Sequence, residues 1–271
     1  STSSSGSNSN PGLMDVGQRL RLLEISGNSG FRMLSSPVSG TIYNDLLSEL
    51  WTQGITGSDA GSTGSANIWT LDVSNQSWSA LSNISSNSLS AGQGFLIYVY
   101  EDIDNDNNAD LPVTLSVTGA SNTGDVSVGS IPDGDYYLAG NPYPQTIDWD
   151  LISKTNLTAS TSVWDDASSS WKSWNGSTGD LTNGLISPYQ GFWVQASGGV
   201  GSFTIQDADL SSSSANFLGR VVEDDTYTVI FTARFGNFSA STYFSFTSDG
   251  SSNIDKEDVI KMLPIQANPR V

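Results

Sequence analysis

Between Glu101 and Asp110 the chain reads EDIDNDNNAD, its sharpest chemical feature. Asp102, Asp104, Asp106, Asn108 and Asp110 fall on every second residue and offer oxygen at positions one, three, five, seven and nine of a loop. Calcium, a hard cation of six- to eight-fold coordination, asks for such a series. Asn107 stands where a calcium loop needs a left-handed turn, a conformation that Asn tolerates. The loop departs from an EF-hand, because Val113 occupies the twelfth position, where that motif has a bidentate Glu, and Asn107 replaces the usual Gly. The competing account is a solvated acidic turn between two strands. Carboxylates crowded together without a cation repel one another, which favours a bound ion. A structural Ca2+ held by these five residues is therefore expected.

Eight Trp offer a second chemistry, since flat indole rings stack on sugar faces. Trp164, Trp171 and Trp174 lie close together in sequence and form the candidate glycan-binding set, with Trp69 and Trp78 as a thinner version earlier in the chain. Packing in or on a sheet is the stronger account of Trp at alternating strand positions. A third chemistry pairs carboxylates as glycosidases do, and Asp148, Asp150, Asp165 and Asp166 are near enough in sequence to qualify. Asp148 and Asp150 are better explained as turn and cap residues. Among 28 acidic residues some pair always looks suggestive. The chain has no His and no Cys, which excludes Ser-His-Asp and Cys-His machinery and the usual His-based metal sites. No catalytic residue is assigned. Five Asn-x-Ser/Thr sequons, at Asn75, Asn83, Asn156, Asn175 and Asn237, are about what so much Ser and Thr produces by chance.

A formal net charge of −18, with only ten Lys and Arg, repels phosphate backbones and argues against nucleic acid as a partner. No apolar run approaches the roughly 20 residues needed to cross a bilayer, so membrane insertion is not expected. The absence of Cys leaves the redox compartment open. The chain opens at Ser with no charged-then-apolar leader, which reads as a processed mature product. Low Lys with abundant Ser, Thr, Asn, Gly and aromatics points to an extracellular β protein.

Two stretches repeat. Phe31, Pro37, Thr41, Ile42, Leu46, Leu47 and Ser48 return 105 positions later as Tyr136, Pro142, Thr146, Ile147, Leu151, Ile152 and Ser153. Gln93-Gly94-Phe95 returns after 97 as Gln190-Gly191-Phe192, and Ile68-Trp69 after 95 as Val163-Trp164. A shrinking offset means fixed strands with variable loops between them.

Alternation and turn residues predict strands at Arg19–Ile25, Phe31–Ser35, Ile68–Val73, Trp78–Leu81, Gly94–Tyr100, Leu111–Thr118 and Gly191–Ala196. Gly94–Tyr100 reads as a central strand buried on both faces. Asn44 reads as the cap of a short helix carrying Leu46, Leu47, Leu50 and Trp51, and Gly119–Gly129 as a turn-rich bridge. Tyr227–Phe235 and a strand with Phe244 and Phe246 should form a hairpin about Gly236-Asn237. Residues 253–263 are read as a short helix or the lead into a last strand. The polar segment 1–12 has no apolar surface with which to pin itself.

With GNPYPQTIDWD, VWD and ISPYQGFWV, the second copy resembles a module of large secreted surface proteins of Bacteroidota-type bacteria, often exported by type IX secretion. GFRMLSSPV, DLLSELWTQG and GQGFLIYVYED are similar to the unit that precedes that module. The resemblance implies secretion and a non-catalytic surface role, and transfers no catalytic residue. The resulting expectation is an all-β protein. Residues 1–25 form a tail and exchange strand. Residues 26–206 form a β-sandwich of two copies of one unit, about 29–118 and about 133–206, and 207–271 a smaller sandwich-like β domain. The expected role is an extracellular subunit of a surface filament that polymerises with copies of itself by strand exchange. Residues 1–25 are the preferred donor and Val259–Val271 the rival. A glycan-binding adhesin module is the alternative, and a carboxylate glycosidase a distant third.

Overall fold

The computed structural model describes residues 19–218, 227–235 and 238–246. The expectations for residues 1–18, for the Gly236-Asn237 turn and for 247–271 lie outside these. The chain divides into two compact units, Ser1–Val221 and Val222–Val271. The structure is mostly β, with several small antiparallel sheets and almost no helix. In chain order the first half supplies β1 (Arg19–Ile25), β2 (Gly30–Leu34), the helix α1 (Tyr43–Leu46), β3 (Ile68–Asp72), β4 (Ser77–Ala80), β5 (Phe95–Val99) and β6 (Val113–Gly119). There follow β7 (Val126–Ile131), β8 (Tyr136–Gly140), β9 (Ile147–Asp148), β10 (Ser153–Thr155), β11 (Thr161–Asp165), β12 (Ser170–Trp174), β13 (Leu185–Ile186), β14 (Gly191–Gln195) and β15 (Gly201–Ile205).

The first four-stranded sheet has the order β2-β5-β3-β4. Alternation in β5 buries Phe95, Ile97 and Val99 on one face and leaves Leu96 and Tyr98 half-buried on the other. The expectation of a strand fully buried on both faces is corrected accordingly. The buried face meets Leu34, Ile68, Tyr43 and Leu46, together with Leu23 and Ile25 of β1 and Leu115 and Val117 of β6, in one core. β1 pairs with β6 through a seven-residue antiparallel register from Arg19↔Gly119 to Ile25↔Val113, with Leu23 and Ile25 turned inward and Leu22 outward.

The helix is shorter than the i, i+4 pattern predicts. It spans Tyr43–Leu46, starts after Ile42 with no side-chain cap, and contains Asn44 rather than being capped by it. Backbone carbonyls of a neighbouring loop take its first donors: Tyr43 N–H reaches Asn87 O at 3.4 Å and Asn44 N–H reaches Ile84 O at 2.9 Å. A single turn held by tertiary contacts needs no side-chain cap, and its short length gives no cooperative drive to extend.

The second four-stranded sheet has the order β8-β14-β11-β12, and a three-stranded sheet, β10-β15-β7, adjoins it. Phe192, Val194 and Val163 form a second core with Trp149, Phe203, Ile205 and Ile131. Trp149 is fully buried, edge-on to Phe192 and Phe203, and donates its Nε1–H to Ala159 O at 2.7 Å. The segment expected to be only a bridge, 119–129, carries the start of β7.

The two large sheets are joined by backbone. Ser35 N–H donates to Tyr189 O at 2.7 Å, and Gly140 N–H to Gly92 O at 3.0 Å. Leu34 bridges Gln190, and Gln93 bridges Ala139. Side chains tie the same joint: Gln76 pairs in both directions with the backbone of Tyr136, while Asp166 accepts from Phe31 N–H and lies 3.4 Å from the Arg32 guanidinium. Met33 and Leu138 are buried there outside both cores. Residues 207–218 also pack on this unit, since Phe217 joins the first core and Leu218 N–H donates to Gln190 Oε1 at 2.8 Å.

In the second unit β16 (Tyr227–Phe235) and β17 (Phe238–Phe246) pair antiparallel from Tyr227↔Phe246 to Phe235↔Phe238, the hairpin that the alternation predicts.

Candidate functional site

The acidic loop joins β5 to β6. Its ends are closed by Asp110 N–H donating to Glu101 O at 2.7 Å, and Glu101 N–H is fixed by Ser29 Oγ at 2.9 Å. Ile103, Leu111 and Val113 anchor it apolarly against the first core. Within this frame Asp102, Asp104, Asp106 and Asp110 each present an oxygen, and the four oxygens lie within 4.8 Å of one another. Two oxygens on opposite sides of a calcium ion stand at most about 5 Å apart, so the cluster has the dimension of one coordination sphere. All its donors are hard oxygens, and it can hold a metal ion.

The fold of the loop follows from its Asp and Asn side chains. Asp106 N–H donates to Asp102 and Asp104, Asn107 N–H to Asp102 at 2.8 Å, and Ile103 N–H to Asp110 at 3.0 Å. Asn105 and Asn107 take φ of 63° and 74°, the left-handed turn expected at Asn107. Asn108, the fifth expected ligand, is placed differently, with its amide nitrogen directed at both oxygens of Asp106. Partial desolvation, with Asp106, Asp110 and Asp102 nearby, holds Asp104 above the ordinary carboxylate range. The Asn108 side chain and backbone hold Asp106 below it.

A carboxyl whose pKa is raised by folding contributes stability below its unfolded pKa and loses that contribution as pH rises through its folded pKa. Deprotonation of Asp104 should therefore loosen the calcium-free loop. In a carboxylate-detected NMR titration of calcium-free protein, Asp104 should titrate above an ordinary Asp, and saturating calcium should bring it below one. An ordinary value in both conditions would leave a solvated turn.

The aromatic set divides. Trp164 and Trp171 are cross-strand partners on β11 and β12, with centroids 5.3 Å apart and planes at 69°. Trp174 stands apart from them, packs against the second core over Gly184, and donates its Nε1–H to both Asp150 oxygens at 3.0 Å. Edge-on rings do not make one flat platform. Trp78 meets Trp193 at 5.6 Å, and Tyr136 meets Trp193 at 6.0 Å, a grouping visible only once β14 lies beside the first hairpin.

The acidic residues weighed as a catalytic pair all serve the fold. Asp148 accepts from Asp150 N–H, and Asp165 accepts from Ser168 Oγ and lies 3.9 Å from Lys172 Nζ. Asp166 accepts from Phe31 N–H at 3.0 Å and Trp164 Nε1–H at 3.2 Å. Burial pushes the Arg32 pKa down, and the neighbouring Asp166 opposes that shift. Comparison with family models, curated proteins and solved structures finds no match. Among the described residues no helix is long and apolar enough to cross a membrane.

Proposed function

We propose that this chain is a non-catalytic extracellular structural protein. In this proposal it is a calcium-stabilised sandwich of two copies of one β unit that polymerises by exchanging β1 between neighbours. Support for duplication comes from reciprocity at the joint. Under the offsets of 105 and 97, Leu34 corresponds to Ala139 and Gln93 to Gln190, so the bridges Leu34↔Gln190 and Gln93↔Ala139 exchange with one another. The hydrogen bonds Ser35→Tyr189 and Gly140→Gly92 exchange likewise. Gly92 and Tyr189 share a left-handed backbone, with φ of 79° and 63°. The hairpins correspond with a shift of 93 rather than 95. Trp69 opposes Leu96 as Ser162 opposes Trp193, and Asp72↔Ser77 matches Asp165↔Ser170 at the turns. A two-residue slip keeps every side chain on its face, which is why the 95-residue spacing looked plausible in sequence.

The observation that carries the assembly proposal is β1. In this structure it lies within its own chain: it joins β2 through the Ser26–Ser29 turn, among the described residues pairs only with β6, and fills two core sites with Leu23 and Ile25, so exchange requires it to leave that slot for a neighbour's. A neighbour's β1 can occupy that slot with the same register and the same two side chains, and head-to-tail exchange whose rotation does not close into a ring propagates as a filament. Four converging carboxylates beside the slot support calcium as the structural ion. The resemblance to secreted bacterial surface proteins favours the extracellular setting. A synthetic peptide of residues 19–25, in excess during refolding, should occupy β6 and arrest assembly at short species. Filaments of unchanged length in its presence would refute the exchange.

A further inference from the structure

We infer that β4 is a self-complementary edge through which two copies of this chain pair, Ser79 against Ser79, into one continuous sheet. β4 and β12 end their respective four-stranded sheets, yet the two edges are finished differently. The outer edge of β12 is covered by its own chain: Asp180 N–H and Leu181 N–H donate to Ser173 O, Ser173 N–H donates to Asp180 Oδ1, and Trp174 bridges Gly179. Lys172 adds a charge to that strand. All four residues of β4 are exposed, and among the described residues only β3 pairs with it.

The backbone polarity of β4 follows from its register. Leu81 N–H donates to Ile68 O at 3.0 Å, so Ile68 and Leu81 form a hydrogen-bonded pair. Alternation along an antiparallel ladder then makes Trp69↔Ala80 and Leu71↔Trp78 the non-hydrogen-bonded pairs. Trp78 and Ala80 therefore turn their N–H and C=O groups outward. A second β4 laid antiparallel with Ser79 on the twofold axis sets Trp78 opposite Ala80 of its copy, twice, and pairs all four groups on each side. The indole, 42 % exposed, then lies across a methyl group rather than another indole.

Charge selects this edge. Copies of a chain with net charge −18 repel one another, yet no charged residue stands between Val73 and Tyr100. The edge also lacks the Lys, Pro or bulge with which sheet edges are ordinarily protected. Four residues a side make a small contact, so the pairing is reversible and concentration-dependent. It is distinct from the head-to-tail exchange of β1, and either can fail without the other.

Sedimentation equilibrium of the full chain, with the β1-derived peptide present to hold exchange in check, should show mass rising with concentration from 28.7 kDa toward twice that value. Ala80→Pro removes an outward donor without touching the β3 ladder, and Ser79→Lys opposes two like charges on the axis. Each should raise the association midpoint by at least about tenfold, while Ser177→Lys, an equal charge in the exposed loop beside β12, should leave it in place. Circular dichroism separates a misfolded Ala80→Pro from a dissociated one, and Ser79→Lys stands if the proline does not fold. A monomer at every concentration, or Ser79→Lys associating like the parent, overturns the inference. Filaments that form normally from Ser79→Lys chains would remove β4 from assembly and leave β1 exchange standing.

Discussion

Gly140→Ala should be among the most damaging single-methyl changes in the chain. A Cβ at Gly140 would lie 2.4 Å from Ser35 Cβ and 2.6 Å from Gln93 O, where the two large sheets are bonded together. Overpacking of this kind costs about 1–3 kcal/mol, and more where the obstacle is backbone that cannot turn aside. For a unit of this size that corresponds to a fall in Tm of roughly 2–12 °C. Gly129→Ala is the matched control, since its nearest obstacle is Ser202 Cβ at 3.7 Å, an ordinary contact. Combining Gly140→Ala with Ser35→Gly should recover part of the loss and no more, because the Gln93 carbonyl stays in place. Equal melting of the Gly140→Ala and Gly129→Ala proteins would mean that the sheets are not tightly joined there. Under the proposed duplication Ser35 and Gly140 would be equivalent positions at the 105-residue offset, and their contact would then lie on the axis relating the two copies.

What could be foreseen from the residues, and what could not, follows the range of the forces involved. The hairpin β3–β4, the strands β5 and β6, the long β16–β17 pair and the acidic loop are set by neighbours in sequence, through alternation, turn residues and side-chain oxygens that bond to nearby amides. These were legible. The helix is shorter than its pattern predicts because Leu50 and Trp51 satisfy an i, i+4 pattern that the chain uses for loop packing, while Ile84 and Asn87 from a distant segment take the first amides. The start of β7 reads as turn in sequence because Gly124 and Gly129 flank a short alternating run whose partner, β15, lies some 75 residues on. Proximity in sequence groups Trp174 with Trp164 and Trp171, but period-two geometry sends it to the opposite face of β12 from Trp171. The left-handed Tyr189 at the joint carries no local signal, as a bulky residue there is held by the surrounding fold.

The most direct test of assembly by strand exchange uses the absence of native cysteine. Leu22 of β1 and Ser116 of β6 are register partners, both within reach of solvent. One preparation carries Leu22→Cys alone, another Ser116→Cys alone, and the two are unfolded, mixed, refolded under assembling conditions and oxidised. A disulfide needs Cα atoms within about 7 Å, so a heterodimer of the two variants forms only where the β1 of one chain lies on the β6 of another. The account predicts such a heterodimer as a major product, and a ladder of covalent multimers when one chain carries both substitutions. Closure of the doubly substituted chain on itself as a monomer, with no heterodimer from the mixture, would contradict it.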